Sequence, residues 1–207
     1  MLKSYQIVIM LSAWLCCACA GQSPAGFDGQ DSNVREGDLL FHVTVDTNQI
    51  TRVTGGMIDH VAIALSADSV IEAVGRGVVV TAISDLLKQD GYFVVGRVGD
   101  ADAHQSVLNA RRYLGCAYDS LFLAGNDAVY CSELVQLSYV DARGRQLFTC
   151  VPMSFHDSTG RVTDYWRDFY ARHQMEVPEG QPGTNPAQLS LDAEVHLTGD
   201  TLRSSGT

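Results

Sequence analysis

Five short apolar runs separated by tight turns fill the first half of the chain, and few folds accept that pattern. The runs cover residues 39–43, 58–65, 70–74, 78–82 and 92–98. Gly37-Asp38, Ser66-Ala-Asp-Ser69 and Gly75-Arg-Gly77 supply turns before or between them. Runs of Val, Ile and aromatic residues at this spacing predict antiparallel strands in a meander. In the second run Val61, Ile63 and Leu65 share one face, and His60, Ala62 and Ala64 share the other. Residues 46–56 are polar and end in Gly55-Gly56, which reads as a loop; a short helix around residues 47–53 is the alternative. Ser84-Asp85 marks a helix start for Leu86-Leu-Lys-Gln.

The second half changes period. Asp102 or His104 opens a helix carrying Val107, Ala110 and Leu114, and Gly115 is placed as its stop. After Tyr130 the residues Leu134, Val135, Leu137 and Val140 fit helical spacing, predicting a helix from Cys131 to about Asp141. Residues 150–155 are apolar enough to return to the core, and residues 164–172 form a last amphipathic helix. Beyond Val177 the chain turns to Pro, Gly, Thr and Asn, which predicts an extended surface segment over 177–207 with a loose end.

The first 20 residues stand apart. Lys3, the apolar stretch Ile7-Val-Ile-Met-Leu11 and the small residues Ala18-Cys-Ala20 read as an export signal. The run is short for a bilayer span, which takes about 20 apolar residues. Leu15-Cys-Cys-Ala-Cys19 is also a loose lipobox, in which Cys19 would carry the lipid. Residues 21–34 read as a flexible tether, leaving one domain over 35–176. Net charge is −10 with no basic run, which excludes nucleic acid as a partner and leaves a lipid anchor as the route to a membrane. Of six cysteines, three lie beyond the signal: Cys116, Cys131 and Cys150. An odd count in an oxidising compartment leaves one thiol unpaired; if Cys116 and Cys150 bridge, that one is Cys131. No cysteine or histidine spacing fits a structural zinc.

Cys131 is either an inert core thiol or a nucleophile. A cysteine opening a helix meets the positive end of the helix dipole, which favours thiolate. A nucleophile needs a base, and the base needs an orienting group. His60 has room around it on its strand. Glu72, between Ile71 and Ala73 in an otherwise apolar strand, is costly to bury without a partner. Any register that pairs even residues with even residues puts Glu72 and His60 on one face. His42, His104, His156 and His173 read as surface residues without a carboxylate on a neighbouring strand. Asp59 and Asp119 read as turn residues; the other reading is a preference for amine-bearing substrates.

Gly115-Cys-Ala-Tyr-Asp119 with Tyr130-Cys-Ser-Glu-Leu-Val135 resembles the signature of permuted papain-like cysteine hydrolases of the NlpC type, the YiiX/YebB-like group. The likeness extends to Gly37-Asp-Leu-Leu-Phe41, Asp59-His-Val-Ala-Ile63, Ile71-Glu-Ala73 and Arg112-Tyr-Leu-Gly115, and so covers residues 35 to 155 in order. It implies an α+β fold, a small antiparallel sheet with helices packed on one side. It also implies Cys131 as nucleophile, His60 as base, Glu72 as orienting member, and Tyr118 as a hydroxyl facing the oxyanion, with no metal or organic cofactor. Ala117 stands where the group has proline, and Cys116 is a second thiol beside the motif. The resemblance and the export signal together imply an exported amidase or peptidase acting on peptide or isopeptide bonds of cell-wall stem peptides. The alternatives are a lipid or acyl-group hydrolase or acyltransferase of the same fold, and a non-catalytic envelope-anchored binding protein.

Overall fold

The computed structural model describes residues 33–54 and 56–204. The export signal, Cys19 and the tether as far as Ser32 lie outside the described residues. Among those described, ten strands and six helices follow in the order β1 (Asp38–Val43), α1 (Gln49–Thr54), β2 (Ile58–Ala64), β3 (Ser69–Val74), β4 (Gly77–Ala82), α2 (Ile83–Leu86), β5 (Tyr92–Val98), α3 (Ala103–Arg111), β6 (Ala117–Tyr118), β7 (Ala128–Val129), α4 (Cys131–Ser138), β8 (Val151–Pro152), α5 (Asp164–Arg172), β9 (Pro182–Gly183), α6 (Pro186–Leu189) and β10 (Val195–Leu202). Six of the strands form one antiparallel sheet in the order β10-β5-β1-β2-β3-β4. β1 to β4 are the expected meander, and β5 returns to pair with the free edge of β1.

The period-2 alternation of these strands sorts the core into two layers. Leu39, Phe41, Val61, Ile63, Ile71 and Ala73 pack with Val107 and Ala110 of α3 and Leu134 and Val135 of α4. Their neighbours Leu40, Ala62, Ala64, Val70, Phe93 and Val95 pack with Ile83, Leu86 and Leu87 around α2. Helices therefore cover both faces, not one, because residues 83–87 turn their apolar side chains onto the second layer. A third cluster, built on Phe155, Trp166 and Tyr170, joins α5 to α1 and to the loops at 121–122 and 153–162.

The structure corrects several sequence expectations. Residues 49–54 are the helical alternative, not a loop, because the Asn48 side chain caps them through the backbone N–H groups of Ile50 and Thr51. Val34, placed in the tether, is buried in the second core layer. α4 ends at Ser138, short of Asp141. Tyr139 turns to extended backbone there, and its hydroxyl donates to the Gly37 carbonyl at 2.8 Å. Cys150 is exposed, and Phe155 alone of its segment is buried.

The largest correction concerns residues 177–204. Pro182-Gly183 pairs with β8, Asn185 caps α6 by accepting from the Gln188 N–H, and β10 adds the sixth strand beside β5. Proline at the first turn of α6 and Gly183 packed against Met153 are devices of ordered backbone. Judged by composition alone, the same residues read as loose chain.

Candidate active site

Cys131 is the first residue of α4, and three local devices place it. β6 and β7 pair in parallel, Tyr118 opposite Val129, so the 117–118 segment lies alongside the approach to the helix. That segment is stitched to β4 through Gly115 N–H to the Val78 carbonyl (3.0 Å) and Val78 N–H to the Cys116 carbonyl (2.9 Å). Gly77 makes the close approach possible: it has φ +97°, and a Cβ there would sit 2.5 Å from the Cys116 carbonyl oxygen. Tyr130, the N-cap, offers no side-chain cap. Glu133 stands at the third helical position, where a capping box carries its carboxylate, and the Tyr130 backbone N–H draws its carboxyl down. Cys131 itself is buried, at the end of the helix where the leading N–H groups have no partner within the helix.

The base candidate meets its carboxylate through sheet register. β2 and β3 pair Ile63 with Ile71 and Ala64 with Val70, so even residues face even residues. His60 Nε2 lies 2.8 Å from Glu72 Oε2. The other Glu72 oxygen accepts from the Thr81 hydroxyl at 2.6 Å, and Arg76 donates to that hydroxyl at 3.3 Å. Burial pushes the imidazole down, but hydrogen bonding with Cys131 and Glu72 outweighs it and raises His60 to about 10. Burial pushes the Glu72 carboxyl up. Hydrogen bonds from His60 and Thr81, with the charges of His60 and Arg76, hold it below its ordinary value. With Nε2 on Glu72, Nδ1 is the nitrogen left for the thiol.

Next to this lies a network that the sequence reading missed. His42 is buried, not a surface residue, and a carboxylate on the neighbouring strand faces it: Asp59 Oδ1 is 2.6 Å from its Nδ1. Its Nε2 is 2.7 Å from the Asp90 carbonyl. The second Asp59 oxygen accepts from the Asn48 side chain, which caps α1. Asp59 reaches both because β2 is irregular there: His42 pairs with His60, Val43 with Ile58, and Asp59 is the extra residue. The one available signal was the Asp59-His60 dipeptide next to a histidine on the preceding strand. Among the other histidines, His104 pairs with Glu36 and His156 with Glu179, both in exposed or half-exposed settings.

Asp119 is a turn anchor. Buried, it accepts from the N–H groups of Leu121 (2.8 Å) and Leu123 (2.7 Å) and from Asn126 (3.1 Å), so its bonds go to its own loop. That collar holds Phe122 at φ +52°, a conformation bulky residues rarely adopt.

Phe122 lines a cleft, partly open to solvent, that ends on Cys131. Tyr118, Tyr130, Ile50 and Val53 of α1, Met153, Phe155 and Trp166 share its lining, as do Thr184, Asn185 and Pro186 of the C-terminal segment. Burial, and the negative charge Cys131 would carry, raise the Tyr118 hydroxyl far above its ordinary value, so it is present as a neutral donor. The Tyr130 hydroxyl accepts from the Thr184 N–H at 2.9 Å, tying the C-terminal segment to the helix cap. Cys116, Cys131 and Cys150 are all free thiols, so the Cys116–Cys150 bridge is not formed. Among the described residues no three His, Cys, Asp or Glu side chains converge as a metal would need.

No curated protein and no solved structure matches the chain. A family model does: the one for permuted papain-like amidase enzymes, YaeF/YiiX, matches residues 33–197. That span takes in the sheet as far as β10, the six helices described and each residue of the cleft, with the six antiparallel strands and packed helices of an α+β fold. On that match the chain belongs to the permuted papain-like amidase family YaeF/YiiX, C92, a family of cysteine hydrolases.

Proposed function

We propose that Cys131, His60 and Glu72 act together as the triad of an exported amidase or peptidase. One observation carries the reading: a half-buried imidazole lies 2.8 Å from the buried Glu72 carboxylate, and the helix-opening Cys131 is among the groups that raise it to about 10. The Cys131 proton passes to His60, and Glu72 stabilises the resulting imidazolium. The thiolate then attacks the carbonyl carbon of an amide. The oxyanion forms beside the leading N–H groups of α4, with the Tyr118 hydroxyl as a second donor. His60 gives its proton to the leaving nitrogen as the C–N bond breaks, and a thioester remains. Water, deprotonated by His60, attacks the thioester and expels the thiolate.

Peptide or isopeptide bonds of cell-wall stem peptides are the substrates this reading takes first, because the N-terminal 20 residues have the pattern of an export signal. Cys19 is the position for a lipid anchor. The apolar lining of the cleft favours the second reading, hydrolysis or transfer of a lipid acyl group, and the two separate on substrate choice. The test of the triad is intact-mass labelling with iodoacetamide at pH 6. Wild type modifies at Cys131 at least about tenfold faster than His60→Ala, with Glu72→Gln between them, since an unactivated thiol titrates near 8.5. Equal, slow labelling in all three would remove the triad. Digests of muropeptides with wild type and Cys131→Ser then decide the substrate.

A further inference from the structure

β4 reads Gly77-Val-Val-Val-Thr81-Ala82, and Thr81 is its one polar side chain. Valine suits a strand as well and fills nearly the same space, so packing alone does not call for the hydroxyl. Register shows what the hydroxyl meets. β3 and β4 pair Glu72 with Val79 and Val70 with Thr81, so Thr81 is the diagonal neighbour of Glu72 on one face of the sheet. There the hydroxyl donates to Glu72 Oε1 at 2.6 Å, while Glu72 Oε2 lies 2.8 Å from His60 Nε2. The two oxygens of one buried carboxylate are thus divided between the two neighbouring strands. Arg76, exposed in the turn between β3 and β4, donates to the same hydroxyl at 3.3 Å. A guanidinium can only donate, so the hydroxyl accepts from Arg76 and gives its single proton to Glu72. We propose that Thr81, with Arg76 behind it, is a positioning residue of the triad, fixing the Glu72 carboxylate in the orientation that His60 needs to activate Cys131. The inference rests on Cys131, His60 and Glu72 as the triad and extends it by two residues that act only through Glu72.

A plain cross-strand staple makes the same bond, and two features separate it from a positioning role. β3 and β4 already pair along their whole lengths, from Ser69 with Ala82 to Val74 with Gly77, so their register does not need the staple. The bond also falls on the carboxylate oxygen that His60 leaves free. A glutamate held at one oxygen turns easily about its last torsion, whose energy well is broad; a second anchor removes that freedom. The groups facing Glu72 are His60 from β2, Thr81 from β4 and the Arg76 guanidinium from the turn, with Cys131 beyond His60. Those three neighbours favour the carboxylate, so without the Thr81 bond burial pushes the Glu72 carboxyl up. Glu72 then takes a proton at a higher pH, and the imidazolium loses its counter-charge there.

The test is the pH profile of iodoacetamide labelling at Cys131, read by intact mass in wild type, Thr81→Val, Thr81→Ser and Arg76→Met, with melting temperatures beside it. At pH 6 Thr81→Val should label about three- to tenfold more slowly than wild type. The acid limb of its profile should move up by about one pH unit, the size expected when a hydrogen bond to a charged group is lost. Thr81→Ser returns the hydroxyl and should restore the rate to within about twofold of wild type. Arg76→Met, in an exposed turn, leaves the core untouched and should move the limb the same way by a smaller amount. If Thr81→Val does not fold, Arg76→Met decides. A Thr81→Val profile superimposed on that of wild type, with only a lower melting temperature, would make Thr81 a staple and overturn the inference; His60-dependent labelling would still uphold the triad. Slow labelling in every protein, unchanged by His60→Ala, would bring down the triad and this inference together.

Discussion

At the scale of single residues, the most informative group is His42, which takes no direct part in the proposed chemistry. Its two ring nitrogens face two acceptors, the Asp59 carboxylate at 2.6 Å and the Asp90 carbonyl at 2.7 Å. Acceptors on both sides require a proton on both nitrogens, so the ring is an imidazolium. The Asp59 hydrogen bond raises it above 6.5, against the opposing effect of burial, and the Asp90 carbonyl adds to the rise. Because the folded-state value is raised, the stability His42 contributes is fully present below about pH 6.5 and is lost as pH rises through the folded value. A nitrogen-15 spectrum of the histidine rings at pH 7 should show His42 doubly protonated. The melting temperature of His42→Gln should approach that of wild type as the solution turns alkaline. A neutral His42 ring at pH 7, or a gap between the two proteins that widens with pH, would refute this reading. Through Asn48 the same network fixes α1, one wall of the cleft, so the cost of losing it falls on substrate binding as well as on the fold.

At the scale of elements, the helix that presents Cys131 is short and lacks a side-chain cap at its N-cap residue. Glu133 puts a carboxylate in the first turn instead, in a buried site with Oε2 unpartnered. Burial, opposed by the Tyr130 bond and assisted by the Asp119 charge, raises Glu133 to about 7. Between the ordinary value of 4.5 and about 7 the folded state therefore holds a proton that the unfolded state has lost, and stability falls as pH rises through that window. Glutamine keeps the acceptor and removes the titration. Glu133→Gln should match wild type at pH 4.5 and gain about 1–3 kcal/mol by pH 8 in denaturant unfolding. A variant that loses stability at pH 8 would mean that the carboxylate charge at the helix start outweighs its burial.

For the whole molecule, the C-terminal segment decides the architecture. β10 covers the outer edge of β5 with Val195 and Leu202 buried, and residues 184–186 close the cleft beside Cys131. The fit at this edge is tight: a Cβ on Gly96 of β5 would meet Phe41 at 2.8 Å and Val195 at 3.0 Å. A chain ending at Glu194 exposes a long apolar strand edge and empties core positions. Such a truncation should lower the melting temperature by about 10 °C or more, or aggregate. An unchanged melting temperature would make β10 an appendage.

How much of this was readable from the sequence follows the range of the interactions. The meander of β1 to β4, the α5 span, the Cys131 helix start and the placing of His60 and Glu72 on one face all follow from short-range periodicity, turn chemistry and the cost of a carboxylate in an apolar strand. Those signals lie within a dozen residues of one another and survive in the sequence. The pairing of β5 with β1 and of β10 with β5, the burial of His42 against Asp59, the collar of Asp119 around Phe122, and residues 184–186 at the cleft were decided only in three dimensions. Each depends on partners far apart in the chain or on one extra residue in β2. A polar or turn-rich composition is the same whether its hydrogen bonds go to water or to a distant strand. Local propensity sets which elements form; long-range packing sets which side chains those elements bring to Cys131.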